Sequence, residues 1–278
     1  MVVHLVDGTY ELFRHFYGLR RFTKTDRPLG AVARVLHTVL EMIEQGATHL
    51  GVATDHVIES FRNQLYAGYK TGEGIEPALV AQFHPLEEAL TDMGIVVWPM
   101  VELEADDALA SAARIADADP RVEKVCIWTP DKDLGQCVRG ERVVQVYRRA
   151  KQILDAAGVR RKFGVDPERI PDFLALVGDA ADGYPGLRGY GAVSAARVIN
   201  QYGALEGWPP EVLGPQRSNA LLFKRLATLR TDARLFADVD ELRWRGPSAA
   251  FAHLAERIGD ARLLARAKSA QQIPGVTR

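Results

Sequence analysis

Apolar positions along the first two-thirds of the chain fall into short, β-branched blocks separated by longer stretches of helical period. "VVHLV" (2–6), "THLGVAT" (48–54), "GIVVWPM" (94–100), "VEKVCIWT" (122–129) and "RVVQVY" (142–147) have the length and composition of strands. Segments near 29–45, 77–93 and 104–117 between them read as helices. Strands alternating with helices predict an α/β fold, a mainly parallel central sheet with helices on both faces. After about residue 163 the pattern changes: 167–178, 191–202 and 217–236 look helical and no strand stands out. The expected organisation is an α/β domain over 1–163 and a helical region over 164–240, with "GWPPEVLGPQ" (207–216) as a loop. Residues 241–278 form a C-terminal segment to which the pattern gives no role.

The polar positions that alter this picture are acids at strand ends. Asp7 closes the first strand, Asp55 the second, and Asp131 and Asp133 follow the fourth. In open parallel sheets, ligands bind beyond the carboxyl ends of the strands. If these strands are neighbours, their acids meet those of "ELEADDALA" (102–110), where Glu102, Glu104, Asp106 and Asp107 crowd the start of a helix. Any one of them alone reads as a cap or turn residue. Together, uncompensated carboxylates would repel and raise one another's pKa, so something positive belongs among them. No histidine or cysteine accompanies the cluster, and hard oxygen ligands suit Mg²⁺ or Mn²⁺ rather than zinc. Glu102 lies outside the motif and is read as solvated or capping.

A second acidic stretch precedes a glycine-punctuated segment. Asp179 and Asp182 in "ALVGDAADGYPGLRGYGAVSAARVI" (175–199) share a face if helical. The Gly189–Gly191 spacing lacks the third glycine and the preceding strand of a dinucleotide fingerprint. A helix–hairpin–helix fits better, because its glycines and the next helix N-terminus present N–H groups to a phosphate. Such a motif binds the DNA backbone without reading bases.

Composition narrows the classes further. A net charge of −1 gives no global positive field, so a nucleic-acid partner must be met by local patches. Residues 139–162 supply one: eight Lys or Arg against two acids, a local +6. Cys126 and Cys137 are the only cysteines, without CxxC spacing, which argues against zinc or a disulfide framework and suits a reducing compartment. The N-terminal apolar run is too short for a signal peptide and no segment approaches 18 apolar residues, so a cytoplasmic location is expected.

With these motifs assembled, the chain resembles the 5′-nuclease family: the 5′→3′ exonuclease domain of bacterial DNA polymerase I, phage 5′-exonucleases and flap endonucleases. The matching stretches are "LVDGTYELFR" (5–14), "TDHVIESFRNQLYAGYK" (54–70), "ELEADDALA" (102–110), "TPDKDLGQ" (129–136) and "ALVGDAADGYPGLRGYG" (175–191), in family order over roughly residues 1–240. No polymerase follows, so a stand-alone member is expected. The resemblance implies a structure-specific 5′-nuclease that hydrolyses DNA phosphodiesters at flaps, nicks or 5′ ends with two Mg²⁺ or Mn²⁺ ions. The implied metal-binding acids are Asp7, Asp55, Glu104, Asp106, Asp107, Asp131, Asp133, Asp179 and Asp182. Asp7, Asp55, Glu104 and Asp106 are assigned to one ion, and the others around or behind the second. Lys70 and Arg62 are the implied catalytic cations, and Arg14 and Tyr69 the implied DNA contacts beside them. Gly186, Arg188, Gly189, Gly191 and Ser194 would hold the duplex at the hairpin, with K⁺ a candidate ion there. A monomer is expected, with DNA as partner and a DNA polymerase as a candidate partner in trans. The alternatives are a branched-DNA-binding protein with weak or no catalysis and a PIN-like ribonuclease cutting RNA or hybrids. Departures from the family pattern are Glu73, where a second basic residue is usual in the arch segment, Gly183, where asparagine is common, and the uncharged "GAVSAA".

Overall fold

The computed structural model describes residues 1–20, 28–273 and 275. Six strands form one sheet: β1 (Val2–Asp7), β2 (His49–Asp55), β3 (Val96–Met100), β4 (Lys124–Trp128), β5 (Val143–Tyr147) and β6 (Gln152–Leu154). Their order is β3-β2-β1-β4-β5-β6, parallel throughout except for β6, which returns antiparallel to β5. The chain winds outward from β1 to β3, then restarts on the other side of β1 with β4. The carboxyl ends of β1 and β4 therefore flank the point where the winding reverses, where a crevice forms.

Helices cover both faces. α1 (Gly8–Arg20), α2 (Gly30–Glu44) and α5 (Phe83–Asp92) lie on one side, around a core that includes Leu12, Leu36, Leu40 and Leu90. α6 (Ala105–Ala118) lies on the other and buries Ala108, Leu109, Ala112 and Ala116 against Leu5, Val125 and Ile127. The helix expected over 77–93 is two pieces, α4 (Pro77–Val80) and α5, because Pro85 suits only a first turn. Gln82 between them turns its side-chain oxygen onto the Ala31 and Val32 N–H groups at the start of α2.

Beyond the carboxyl edge of the sheet lies the helical region: α7 (Ala156–Phe163), α8 (Ile170–Val177), α9 (Ala192–Tyr202), α10 (Pro210–Leu213) and α11 (Arg217–Ala227). Phe173, Leu174, Tyr184, Trp208 and Phe223 form its core. The helix expected over 217–236 stops at Ala227, because tertiary partners take its last carbonyls. Gln136 donates to Ala227 O and Arg62 to Leu226 O. The chain then crosses the α6 face, burying Leu229, Val239 and Leu242. The C-terminal segment acquires a structural role. Trp244 donates its indole N–H to Met93 O, and α12 (Phe251–Ile258) and α13 (Ala261–Ala270) close the core over α2 and α5.

Candidate active site

β1 and β2 each end in an acid and Asp131 follows β4 in the next loop, and the fold turns these ends toward one crevice. Asp7 is 6 % exposed; its Oδ1 accepts the Tyr10 N–H at 2.8 Å, capping α1, and its Oδ2 accepts the Thr129 hydroxyl at 2.9 Å. Gly8 follows because a Cβ there would press on Val52 and Thr54 of β2. Asp55 accepts the Ala105 N–H at 2.8 Å, which joins β2 to the start of α6. Asp131 hangs from the loop after β4, and its Oδ1 accepts the Asp133 N–H at 2.9 Å. Buried Gln145 pins that loop by donating to the Thr129 and Asp131 carbonyls.

Asp7, Asp55, Asp106 and Asp131 lie close enough to act on one another's protonation. Burial pushes Asp7 up to about 7 and Asp55 up to about 6, with neighbouring carboxylates adding to it. Burial and the charge of Asp131 drive Asp106 and Asp133 well above the usual carboxylate range, and burial raises Asp131 and Asp182. A second group forms where the loop after β4 meets the hairpin: one oxygen each of Asp133, Asp179 and Asp182 lie within 4.8 Å of one another. Asp133 Oδ1 is buried and has no hydrogen-bond partner among the described residues. Buried oxygens that crowd one another and lack donors are the donor set a hard divalent cation needs.

Cations border the two groups. Lys70 Nζ bridges Glu104 Oε2 at 2.7 Å and Asp182 Oδ1 at 2.9 Å, and these charges raise its pKa well up against the pull of burial. Burial favours the neutral form of Glu104, but Lys70 and Arg62 outweigh it and hold the carboxyl below its ordinary value. Lys132, between the two aspartates of "TPDKDLGQ", pairs with Asp179 at 2.7 Å.

Three of the sequence-derived residues sit differently from the rest. Asp107 is fully buried, and its oxygens accept both Arg62 Nη1 and Nη2, the Glu104 N–H and the Arg230 N–H. Arg62, 1 % exposed, also donates to Glu104 and to the Leu226 and Thr228 carbonyls. Tyr69 is 4 % exposed, packed in the helical core, and its hydroxyl donates to Glu104 Oε2 at 3.3 Å. None of the three turns a free polar group to the crevice. Arg14 pairs with Glu11 on α1 and contacts His15.

The hairpin between α8 and α9 carries Asp179 and Asp182 in its first half and its glycine turns in the second. Gly186 has φ +71° and packs on Gly178, where a Cβ would overlap backbone. Arg188, Gly189 and Gly191 are exposed. Ser194 accepts the Gly191 N–H at 2.9 Å, and an open notch is lined by residues 191–194 and Arg197. In the 71–81 segment Leu79 is buried, while Glu73 is exposed. Sequence reasoning had missed Tyr10, Thr129, Lys132 and Gln145. Only Lys132 carried a signal, its position between two aspartates.

Two family descriptions divide the chain: the N-terminal resolvase-like domain of 5′-3′ exonucleases matches residues 2–164, and their C-terminal SAM fold matches residues 165–250. The chain belongs to the 5′-3′ exonuclease family. It is 35 % identical over 86 % of its length to DNA polymerase I of Pseudomonas aeruginosa, and spans 28 % of that protein. A 5′-3′ exonuclease of Aquifex aeolicus is 30 % identical over 88 % of this chain and 87 % of its own length. The zinc-bound structure of T5 5′-exonuclease superposes over 98 % of this chain and 99 % of its own, with TM-score 0.65 at 18 % identity, a likeness of fold. Among the described residues no helix is long and apolar enough to cross a membrane.

Proposed function

We propose that this family member is a divalent-metal-dependent, structure-specific 5′-nuclease that hydrolyses DNA phosphodiesters at 5′ flaps, nicks or 5′ ends. One observation carries the reading. Carboxylates from separate strand ends, a helix start and a hairpin loop converge while buried and mutually repelling, with Asp133 Oδ1 unpartnered. The donor set fits Mg²⁺ or Mn²⁺. Asp7, Asp55, Asp106 and Asp131, with Glu104, would hold one ion; Asp133, Asp179 and Asp182 would hold the second. Bound ions would acidify a water and stabilise the leaving oxygen.

The remaining groups shape the site. Thr129 and the Tyr10 N–H orient Asp7, and the Ala105 N–H orients Asp55. Lys70, resting between Glu104 and Asp182, is the cation we assign to the substrate phosphate. Asp107 and Arg62 are reassigned as positioning residues: their mutual fork leaves neither free for a metal or a phosphate. Tyr69 positions Glu104 rather than stacking on a base. The exposed backbone of the hairpin around Arg188, Gly189, Gly191 and Ser194, below the Gly186 turn, would offer N–H groups to a duplex phosphate and carbonyl oxygens to a K⁺ ion. Arg14 retains its sequence-based assignment to DNA. A monomer acting with a DNA polymerase in trans, in the reducing cytoplasm, completes the reading.

The test is cleavage of a labelled 5′-flap duplex with Mg²⁺ or Mn²⁺, with EDTA as control and single-stranded RNA alongside. Metal-dependent release of the flap is expected. Binding without cleavage in either metal would leave a branched-DNA-binding protein, and preference for RNA would turn the reading toward a PIN-like ribonuclease.

A further inference from the structure

A groove of about 380 Å³ opens beside the acid cluster, at the carboxyl ends of β4 and β5 and the start of α1. It shares a wall with the cluster: Tyr10 and Thr129 line it, and both bond to Asp7. Its chemistry is cationic and aromatic rather than acidic. The Arg148 guanidinium lies over the Trp128 ring at 4.4 Å, and Tyr147 and exposed Arg149 complete the rim.

Arg148 is the unusual member. Its Nε and Nη2 are buried and have no hydrogen-bond partner among the described residues. The nearby acid is Glu11, whose Oε1 stands 3.9 Å from Nε, too far for a hydrogen bond, while its Oε2 is engaged by Arg14. Lys162 donates to the Tyr147 hydroxyl at 2.8 Å, adding another positive charge. The adjoining histidines do not offset this. Burial, together with Arg148 and other arginines, holds His4 down to about 4 and His15 to about 3, so both are neutral. Arg14, Arg148, Arg149 and Lys162 thus gather around the groove; Glu11 faces Arg14 and Arg148, and the charges of Glu41 and Asp131 act through space on Arg148 and Lys162. A partly buried guanidinium with two buried, unused donors is unfavourable for folding. A planar fork of N–H groups is also the preferred bidentate partner of phosphate.

We propose that this groove is a phosphate subsite, in which Arg148 receives a backbone phosphate of the DNA strand running past the cleavage site. The identity of the ligand rests on the nuclease reading; the anion site itself does not. The groove adjoins Asp7 across Tyr10 and Thr129, so a strand crossing the acid cluster passes beside it.

The experiment measures binding of a 5′-flap duplex in EDTA, so that no cleavage intervenes, with a single neutral methylphosphonate moved stepwise across the junction. One position should weaken binding by the parent protein about tenfold, the loss expected for one charge-assisted contact. Arg148→Met should lose about as much on all-phosphate DNA and be indifferent to the methylphosphonate at that position. Arg148→Lys should fall between them. The melting temperature of Arg148→Met should equal or exceed the parent's, because a partly buried cation with two unused donors has been removed. A purely structural arginine would lower it. Unchanged DNA binding by Arg148→Met, equal methylphosphonate penalties in both proteins, or a melting temperature several degrees below the parent's would overturn the proposal. If inorganic phosphate raises the parent's melting temperature but not the variant's, while DNA binding is equal, the groove takes a free anion and the assignment to DNA falls. A protein that shows the expected binding pattern yet never cleaves would refute the nuclease reading and leave the subsite standing.

Discussion

Replacing Arg62 by methionine separates two roles that a buried arginine beside a candidate active site can have. The guanidinium ties together three parts of the chain: α3 (Phe61–Leu65), which carries it, the start of α6 through Asp107 and Glu104, and the end of α11 through Leu226 and Thr228. Methionine fills much of the volume but leaves Asp107, 0 % exposed, without its counter-ion. Breaking a buried pair from one side costs about 3–5 kcal/mol. Two carbonyls that lose their donor add roughly 1 kcal/mol each. The sum, about 5–7 kcal/mol, is a large part of the ~5–15 kcal/mol that holds a typical domain folded. At ~2–4 °C per kcal/mol for large domains, the melting temperature should drop by roughly 10–25 °C, or the protein should fail to fold. Thermal unfolding followed by circular dichroism, with Lys70→Met in parallel, reads this directly. Lys70→Met should melt much closer to the parent, because its ammonium is at the crevice edge. An Arg62→Met protein that melts within about 2 °C of the parent and has lost only cleavage would refute the positioning role and return Arg62 to the substrate.

Other outcomes follow from the same geometry. Asp131→Asn combined with Asp133→Asn should lower single-turnover cleavage by orders of magnitude while DNA affinity stays similar or tightens; a fully active double variant would contradict the ligand assignment. Asp7 and Asp55 are raised in the folded state to about 7 and about 6, above their unfolded value, so the stability they contribute is present at low pH and lost as pH rises through 6–7. In EDTA the melting temperature should therefore fall between pH 5 and pH 8. Saturating Mg²⁺ should oppose that fall, since metal binding requires the ionised acids; a rise with pH in EDTA would count against the buried, proton-holding cluster. Phe251→Ala should cost about 3–5 kcal/mol, seen as a lower denaturation midpoint, because that ring is fully buried in the core over α2 and α5.

The sheet was legible because its five parallel strands are short apolar runs, and Asp7, Asp55, Asp131 and Asp133 because they stand at or just after the ends of such runs. β6 was not legible: it is three residues long and two of them are exposed, so it owes its existence to pairing with β5. α1 was hidden by glycines and aromatics, although Leu12 and Phe16 are spaced one turn apart and buried. The overlong helix over 217–236 failed because Arg62 and Gln136, far away in sequence, end it. At the site, a carboxylate that meets solvent and one that meets a guanidinium look alike in one dimension. Asp106 and Asp107 are adjacent residues on α6, and only the packing of Arg62 between α6 and α11 distinguishes them. Residues 241–273 carried no motif because their work is to cover apolar surface, which any amphipathic helix of fitting shape can do.

Gly183, in the loop after Asp182, and the 66–70 turn that leads into Lys70 form an interlocked pair. Gly183 has φ +87°, a Cβ there would overlap the Gly68 carbonyl oxygen, and next to this contact the Lys70 N–H donates to Asp182 O at 2.9 Å. The hairpin loop and the lysine turn thus touch backbone to backbone, with room for nothing larger than hydrogen. Anyone transplanting the hairpin from a relative that carries asparagine at this point would have to move the 66–70 turn with it. The two segments, more than a hundred residues apart in the chain, behave as one exchangeable part.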